Sequence, residues 1–448
     1  DTTVVLFALA ATVLSALVFG SAPAWRGARI QLMDALRMAV PQSDRGGRRL
    51  RGALVVGQLA LATVLLVGAG LLTSSFLRMS SVDPGFDSQG VLLVEVSAPL
   101  ERYPEQSPRT HALYRNLVEA LEGTPGVVAA GATMASPLSG FRPSNSVART
   151  DQADEQSDFL GVAWRGVTPG FFRALGVPFL AGRVFDESGL EAVVQALESG
   201  ERASVPIVIT RSLAERLWPG QDPIGRGMIW NQPGGMPMEV AGVVGDLRDL
   251  SFPFDPQPTV FLPHRIVAWP TMTLVIRAQG NAAQVARAAR EAIWGVDGAL
   301  PVPEMRPMEG ALDATLAGPR LNLILMGLFS ISALLLAAIG LYGLTAFSVA
   351  RRTREIGVRL ALGAPRHGVL GLVLAHGLKL TAVGTVLGLA GALALTRFLE
   401  AILFEVRALD PPTYLGVVVL LGGVTVAAAL VPARRALKVN PASSLQAE

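Results

Sequence analysis

Long apolar runs are the clearest pattern along the chain. Five of them are almost free of charge and extend over residues 2–25, 53–77, 321–350, 369–396 and 413–431. About 20 apolar residues cross a bilayer core as a helix, and a helix that is apolar on every face lies away from water. Buried core helices of a soluble protein are the alternative. Because one chain carries five such runs, membrane helices are the better interpretation.

Shorter elements dominate residues 80–319, between the second and third runs. A strand over 90–96, a helix over 108–121 and a strand over 127–134 are followed, much later, by a second strand–helix–strand order over 272–277, 282–294 and 300–305. The residues between the two units, about 135–270, are rich in Gly and Pro and favour strands. The sequence therefore predicts an α-helical integral membrane bundle with a large extracytoplasmic α+β domain, in which a split βαβ sheet carries an inserted β-rich lobe.

Charge gives the orientation. Segments 26–51, 351–366 and 434–448 together carry a net charge of +11, whereas residues 80–319 carry −9. Arg and Lys are retained on the cytoplasmic side of a membrane, so residues 80–319 are predicted to lie outside the cytoplasm and the C-terminus within it. The basic residues flank membrane helices, and this placement argues against a nucleic-acid partner. Charged residues make up only 16% of the chain, which fits a membrane protein with a water-exposed domain.

No constellation for catalysis is found in the sequence. The chain has no Cys, neither of its two lysines follows Gly as a Walker A motif requires, and no zinc-protease or nucleophile-elbow motif is present. His111 and His264 stand alone, so we expect no catalytic residue, no metal site and no cofactor in this chain. His376 and Lys379 are interpreted as side chains that extend toward the cytoplasmic surface rather than an ion relay.

An acidic run and a group of aromatic residues are expected to have structural rather than binding roles. Asp151, Asp154, Glu155 and Asp158 form an acidic run, but the run lacks the Gly and the terminal Glu of a calcium loop, so a solvated loop is expected. The aromatic residues Phe171, Phe172 and Phe179 are expected to pack inside the domain rather than to bind a ligand.

The most informative polar segment is loop 348–368, between the third and fourth runs. Ile356, Leu360 and Gly363 recur at helical spacing, while arginines occupy the other faces. The alternative is that these arginines only obey the positive-inside rule. The single Glu355 among arginines, with two glycines, favours a short helix that docks in a partner. The predicted docking residues are Arg351, Arg352, Arg354, Glu355, Ile356, Gly357, Arg359, Leu360, Leu362 and Gly363.

An internal repeat suggests how the chain is organised. Residues 23–36 align without gaps with residues 432–445, and each segment follows an apolar run into a basic region. We therefore expect residues 1–39 to be the last membrane helix and cytoplasmic tail of a preceding permease unit. The remaining predicted divisions are a linker and helix over 40–79, the extracytoplasmic domain over 80–319, and a permease domain over 320–448 with helices at about 321–347, 369–396 and 413–431.

The chain resembles the FtsX-like permease family, and its MacB type in particular. The resemblance rests on RTREIGVRLALGA (352–364), LLVGAGLL (65–72), PGFFRALGVPFLAGRVF (169–185), PIGR (223–226), VVGDLRD (243–249) and VPARRALKVNPASSL (431–445). The repeat and the LLVGAGLL helix are similar to the acidobacterial duplicated orphan permeases, of which this chain would be a C-terminal portion.

The resemblance implies a bacterial inner-membrane permease whose large domain lies in the periplasm. It implies ATP use through a separate ABC ATPase bound at the cytoplasmic loop, and mechanical coupling of that ATPase to a periplasmic movement, for efflux or envelope export. Further implied partners are a periplasmic adaptor, the preceding permease unit or a second copy of the chain, and the lipid bilayer. A sensor or scaffold that binds an antibiotic, peptide or envelope protein without transporting it is the alternative.

Overall fold

The computed structural model describes residues 45–152, 159–232, 235–248, 256–351, 365–399, 406 and 409–436, together with scattered positions between 2 and 17. Residues 1–57 and residues 58–448 form two compact units, and the contacts discussed below lie within the second.

Nine helices and eleven strands are labelled in the described part of the chain. The helices are α1 (Arg45–Ser81), α2 (Pro108–Glu122), α3 (Gly170–Leu175), α4 (Glu187–Glu198), α5 (Arg211–Leu217), α6 (Ala282–Val296), α7 (Met308–Arg351), α8 (Arg366–Leu399) and α9 (Pro411–Ala436). The strands are β1 (Val91–Ser97), β2 (Val127–Thr133), β3 (Ser144–Arg149), β4 (Leu160–Val167), β5 (Phe179–Gly182), β6 (Val205–Thr210), β7 (Gly227–Trp230), β8 (Met236–Val244), β9 (Thr259–Pro263), β10 (Thr271–Ala278) and β11 (Arg306–Pro307).

Within the described ranges, four helices are long and apolar enough to cross a membrane. These stretches are Arg49–Ser81, Met308–Arg351, Leu370–Thr396 and Pro411–Arg435, which confirms the runs predicted from residue 53 onward. The run at 2–25 falls largely outside the described residues. Helix α7 begins at Met308 rather than near 321 and continues through Pro319, which removes one backbone hydrogen bond without ending the helix.

Close contacts hold the four helices together. Ser330 Oγ on α7 donates a hydrogen bond to the Leu65 carbonyl on α1, at 2.8 Å. The hydroxyls of Thr381 on α8 and Thr425 on α9 are also 2.8 Å apart. Small residues and hydroxyl groups drive helix association in a membrane because lipid tails satisfy apolar surface but not polar groups. Because α9 also packs along α7, these contacts join α1, α7, α8 and α9 in one bundle.

The extracytoplasmic domain begins with two interleaved βαβ units. Strand β10 lies between β1 and β2 and is antiparallel to both, while β1 lies in the same way between β10 and β11. Helices α2 and α6 cover this part of the sheet, and the Tyr114 hydroxyl donates toward the carbonyls of Val96 and Pro270. This arrangement is the predicted split βαβ sheet.

One predicted strand is wrong. Residues 300–305 are not a strand, and only Arg306–Pro307 pairs with β1. Pro301 and Pro303 have no N–H group to donate to a ladder, so the segment cannot pair over its length. Its apolar side chains are nevertheless buried, because Leu300 and Met305 belong to the core under α2 and α6.

The insert closes on itself. Strands β4, β3, β7, β8, β6 and β9 pair in that order, and β9 pairs back with β4, which completes a six-stranded ring. Strand β5 adds to the outside through β8, and a pairing of Thr133 with Val167 joins the ring to β2. The insert is β-rich as predicted, but it also contains helices α3, α4 and α5, and it continues the same sheet.

Candidate functional site

The predicted docking segment lies between the end of α7 and the start of α8. Arg351, the last residue of α7, is exposed and its guanidinium lies 5.3 Å from the centre of the Phe347 ring. On α9, Arg435 donates to the hydroxyl of Tyr342 of α7 at 3.2 Å, so the basic end of α9 lies against the last third of α7. The other predicted docking residues fall outside the described part of the chain: Arg352, Arg354, Glu355, Ile356, Gly357, Arg359, Leu360, Leu362 and Gly363.

The expectation that the two domain histidines stand alone is wrong. His111 on α2 and His264, directly after β9, pack against each other with ring centroids 4.3 Å apart. His264 is 1% exposed and His111 is also buried. Among the described residues, His111 Nδ1 and His264 Nε2 have no hydrogen-bond partner. A histidine from the βαβ part of the domain therefore contacts one from the insert.

Burial keeps both imidazoles neutral. The pKa of His264 is lowered to about 3, chiefly by desolvation; the nearby His111, Arg265 and Arg115 act in the same direction, and a hydrogen bond to the His111 backbone acts against them. Desolvation, followed by Arg265 and Arg115, lowers the pKa of His111 to about 4. A buried cation beside guanidinium groups is unfavourable, so both rings carry no charge at neutral pH.

A cleft of about 570 Å³ lies between α2, α3, β5 and the start of α4. On α2, the side chains of Arg115, Val118, Glu119 and Glu122 line it at helical spacing. Glu122 forms an ion pair with Arg173 of α3, and Glu119 lies 3.9 Å from Arg115. We call this cavity the α2–α4 cleft.

Glu187, the first residue of α4, also lines the α2–α4 cleft. Burial raises the pKa of Glu187, Arg115 acts in the opposite direction, and Glu119 and Asp186 raise it further. Phe179 from β5 lines the cleft as well and is 36% exposed. Of the predicted core aromatics, Phe171 and Phe172 are fully buried, whereas Phe179 packs edge-on against Phe172 and also faces the cleft.

The acidic run does not assemble a metal site in the described structure. Asp151 accepts two hydrogen bonds from Arg149, which occupies the carboxylate that the run would offer to a cation. Asp154, Glu155 and Asp158 lie outside the described residues. No group of three or more metal-binding side chains occurs where side chains are described.

Family models match both parts of this architecture. Residues 52–292, more than half of the chain, match the MacB-like periplasmic core domain, and residues 327–441 match the FtsX-like permease C-terminal region. The chain belongs to the MacB-like, FtsX-type permease family. A transporter or permease role follows from that membership, and the sequence resemblance is confirmed.

Similar curated proteins cover nearly the whole chain. The "Macrolide export ATP-binding/permease protein MacB" of Azoarcus sp. (strain BH72) is 26% identical over 92% of this chain and 59% of its own length. The protein of the same name from Agrobacterium fabrum is 25% identical over 95% of this chain and 62% of its own length. The chain thus spans about three-fifths of these MacB-like relatives.

One solved structure is also similar to part of this permease. The periplasmic region of MacB from Actinobacillus actinomycetemcomitans aligns with 53% of this chain and 97% of its own, at 12% identity and a TM-score of 0.34.

Proposed function

We propose that this chain is the permease subunit of a mechanotransmission-type ABC system that couples a separate cytoplasmic ATPase to a movement of the periplasmic domain, for efflux or envelope export. The observation that supports it best is the continuity of α7. This helix has 44 residues and is therefore about 66 Å long. Met308 at one end is buried in the core of the extracytoplasmic domain, and Arg351 at the other end adjoins the docking segment.

A second contact stiffens the same connection. Met79, near the end of α1, packs against Leu312 and Leu316 of α7 and against Leu138 of the domain. The two helices that enter and leave the domain are therefore packed together at its base. Because no flexible linker separates α7 from β11, a shift of the helices is expected to move the sheet rather than to be absorbed by a loop.

In this proposal ATP is bound and hydrolysed by a partner chain. The docking residues would lie in a groove of an ABC ATPase, with Glu355 as the negative charge and the glycines permitting close approach. A periplasmic adaptor, and the preceding permease unit or a second copy of the chain, complete the proposed assembly. The alternative is a sensor or scaffold that binds its ligand without an ATPase.

Charge reversal at the docking segment tests the coupling. Glu355→Arg is expected to abolish retention of the cognate ATPase, because breaking a desolvated charge pair costs about 2–5 kcal/mol. An exposed pair would cost under about 1 kcal/mol and leave retention nearly unchanged. The measurement is ATPase pull-down from native membranes in detergent at one salt concentration, with membrane insertion checked separately.

The matched control for that pull-down is Glu105→Arg, the same charge reversal at an exposed position of the periplasmic domain. Equal ATPase retention by Glu355→Arg and by the control would show that Glu355 is not a docking contact. If the wild-type chain itself retains no ATPase, the result favours the sensor or scaffold.

Single cysteines test the proposed orientation, since the chain has no native Cys. Ser199 at the end of α4 and His367 in the first turn of α8 are both exposed. An impermeant maleimide is expected to label Ser199→Cys in intact spheroplasts and His367→Cys only after permeabilisation. The reverse labelling pattern would place the large domain in the cytoplasm and reject the proposal.

A further inference from the structure

The α2–α4 cleft combines an excess of negative charge with an aromatic surface. Three carboxylates line it, from Glu119, Glu122 and Glu187, against two guanidinium groups, from Arg115 and Arg173. Arg173 is bound to Glu122, and Arg115 is 3.9 Å from Glu119. Within the described structure Glu187 makes no ion pair. Arg115 attracts its carboxylate but also lies beside Glu119, so the lining keeps one negative charge in excess.

The surroundings of Glu187 set what the cleft can accept. The residue is half-buried, so water screens its carboxylate less than it would on an open surface. An organic cation restores neutrality there, whereas an anion would meet an excess of negative charge. The cleft volume of about 570 Å³ lies in the range of small-molecule sites, which is about 300–1,000 Å³.

Apolar groups provide the rest of the surface. The ring of Phe179 rests edge-on against Phe172, with ring centroids 5.2 Å apart, and remains partly exposed. Val118 and Val184 also line the cleft. An aromatic face attracts a cation and also packs against an apolar body, so this lining suits a ligand that has both parts.

We propose that the α2–α4 cleft binds a small organic amine with one positive charge and an apolar body, with the ammonium group at Glu187 and the apolar part on Phe179, Val118 and Val184. This site belongs to the extracytoplasmic domain alone. Ligand binding there requires neither an ATPase nor transport, so this proposal goes beyond the proposed permease function. An experiment can reject either proposal without rejecting the other.

Three probes of one shape test the proposal: naphthylmethylamine, its neutral analogue naphthylmethanol and the anion naphthylacetate. The full chain is placed in phosphatidylcholine nanodiscs without any ATPase, and saturation-transfer NMR titrations are compared with empty nanodiscs. Saturable amine binding is expected, with affinity about tenfold lower for the alcohol and lower still for the anion.

Variants assign the binding to the cleft. Glu187→Gln keeps the size of the side chain and is expected to reduce amine affinity to that of the alcohol, while alcohol binding stays unchanged. Glu198→Gln, at the exposed far end of the same helix, is the matched control and should leave all three affinities unaltered. Phe179→Ser should weaken amine and alcohol alike.

Several results would overturn the proposal. Amine binding that does not exceed the empty-nanodisc signal, anion binding as strong as amine binding, or equal amine affinity in Glu187→Gln and Glu198→Gln would each do so. Thermal unfolding midpoints of the variants verify that they are folded. The comparison of the three probes on the wild-type chain tests the charge preference even if a variant is unstable.

Discussion

Mild acid is expected to destabilise the periplasmic domain, and His264 is expected to account for much of the loss. Its pKa is lowered from the ordinary 6.5 to about 3, chiefly because the ring is buried. The unfolded chain therefore binds a proton near pH 6.5, while the folded domain resists it until near pH 3. Stability is full above the unfolded pKa and falls as the pH drops below it, by about 2 kcal/mol between pH 6.5 and 5.

Other titrating groups near His264 determine how the experiment is designed. His111 adds an effect of the same sign, because its pKa is also lowered. The raised pKa of Glu187 acts in the opposite direction, since the folded domain binds that proton more readily than the unfolded chain does. The measurement is the thermal unfolding midpoint of the full chain in detergent from pH 7.5 to pH 5, for the wild type and for single histidine variants.

The decisive variant is His264→Phe, which keeps a buried ring but cannot be protonated. Its midpoint is expected to fall with acid by several degrees less than that of the wild type. His367→Phe, at an exposed position of α8, should behave like the wild type. Parallel midpoint curves for His264→Phe and the wild type would show that the buried pair does not control acid stability.

Replacing Gly388 by Ala is expected to force two membrane helices apart. A Cβ atom at this position of α8 would lie 2.4 Å from Thr63 Cβ and 2.6 Å from the Ala60 carbonyl oxygen of α1. The second contact is with backbone, so a side-chain rotation cannot relieve it. Overpacking of this kind costs about 1–3 kcal/mol, and the unfolding midpoint should fall accordingly.

Gly371→Ala provides the control on the same helix, because its new Cβ would meet nothing within 4 Å. Alanine has the higher helix propensity, so this control should be neutral or slightly stabilising. If Gly388→Ala and Gly371→Ala have the same unfolding midpoint, the close packing of α8 on α1 is not a determinant of bundle stability.

Elements with a strong local pattern were predicted well from the sequence. The helix predicted over 108–121 and the strand predicted over 272–277 lie within one or two residues of the observed limits of α2 and β10. The membrane runs were equally clear, since burial in lipid needs a long apolar segment. The strand expected at 300–305 failed because its apolar side chains are buried while its prolines prevent pairing.

Features built from distant residues could not be predicted in this way. His111 and His264 meet only after β9 returns to the sheet, and the cleft joins α2 to a helix that begins at Glu187. The closure of the insert depends on the pairing of β4 with β9, which lie far apart in sequence. No local signal in composition or periodicity encodes such contacts, because they depend on topology.

Unequal helix lengths give the bundle an asymmetric response to bilayer thickness. Helix α7 has 44 residues, whereas α9 has 26, between Pro411 and Ala436, or about 39 Å. In a thicker bilayer α7 is still long enough to cross the hydrocarbon core, and only the position of the lipid surface along the helix changes. Helix α9 has little length beyond a hydrocarbon core of about 30 Å. Hydrophobic mismatch therefore acts first on α9, and through Arg435 and Tyr342 on the half of α7 that ends at Arg351.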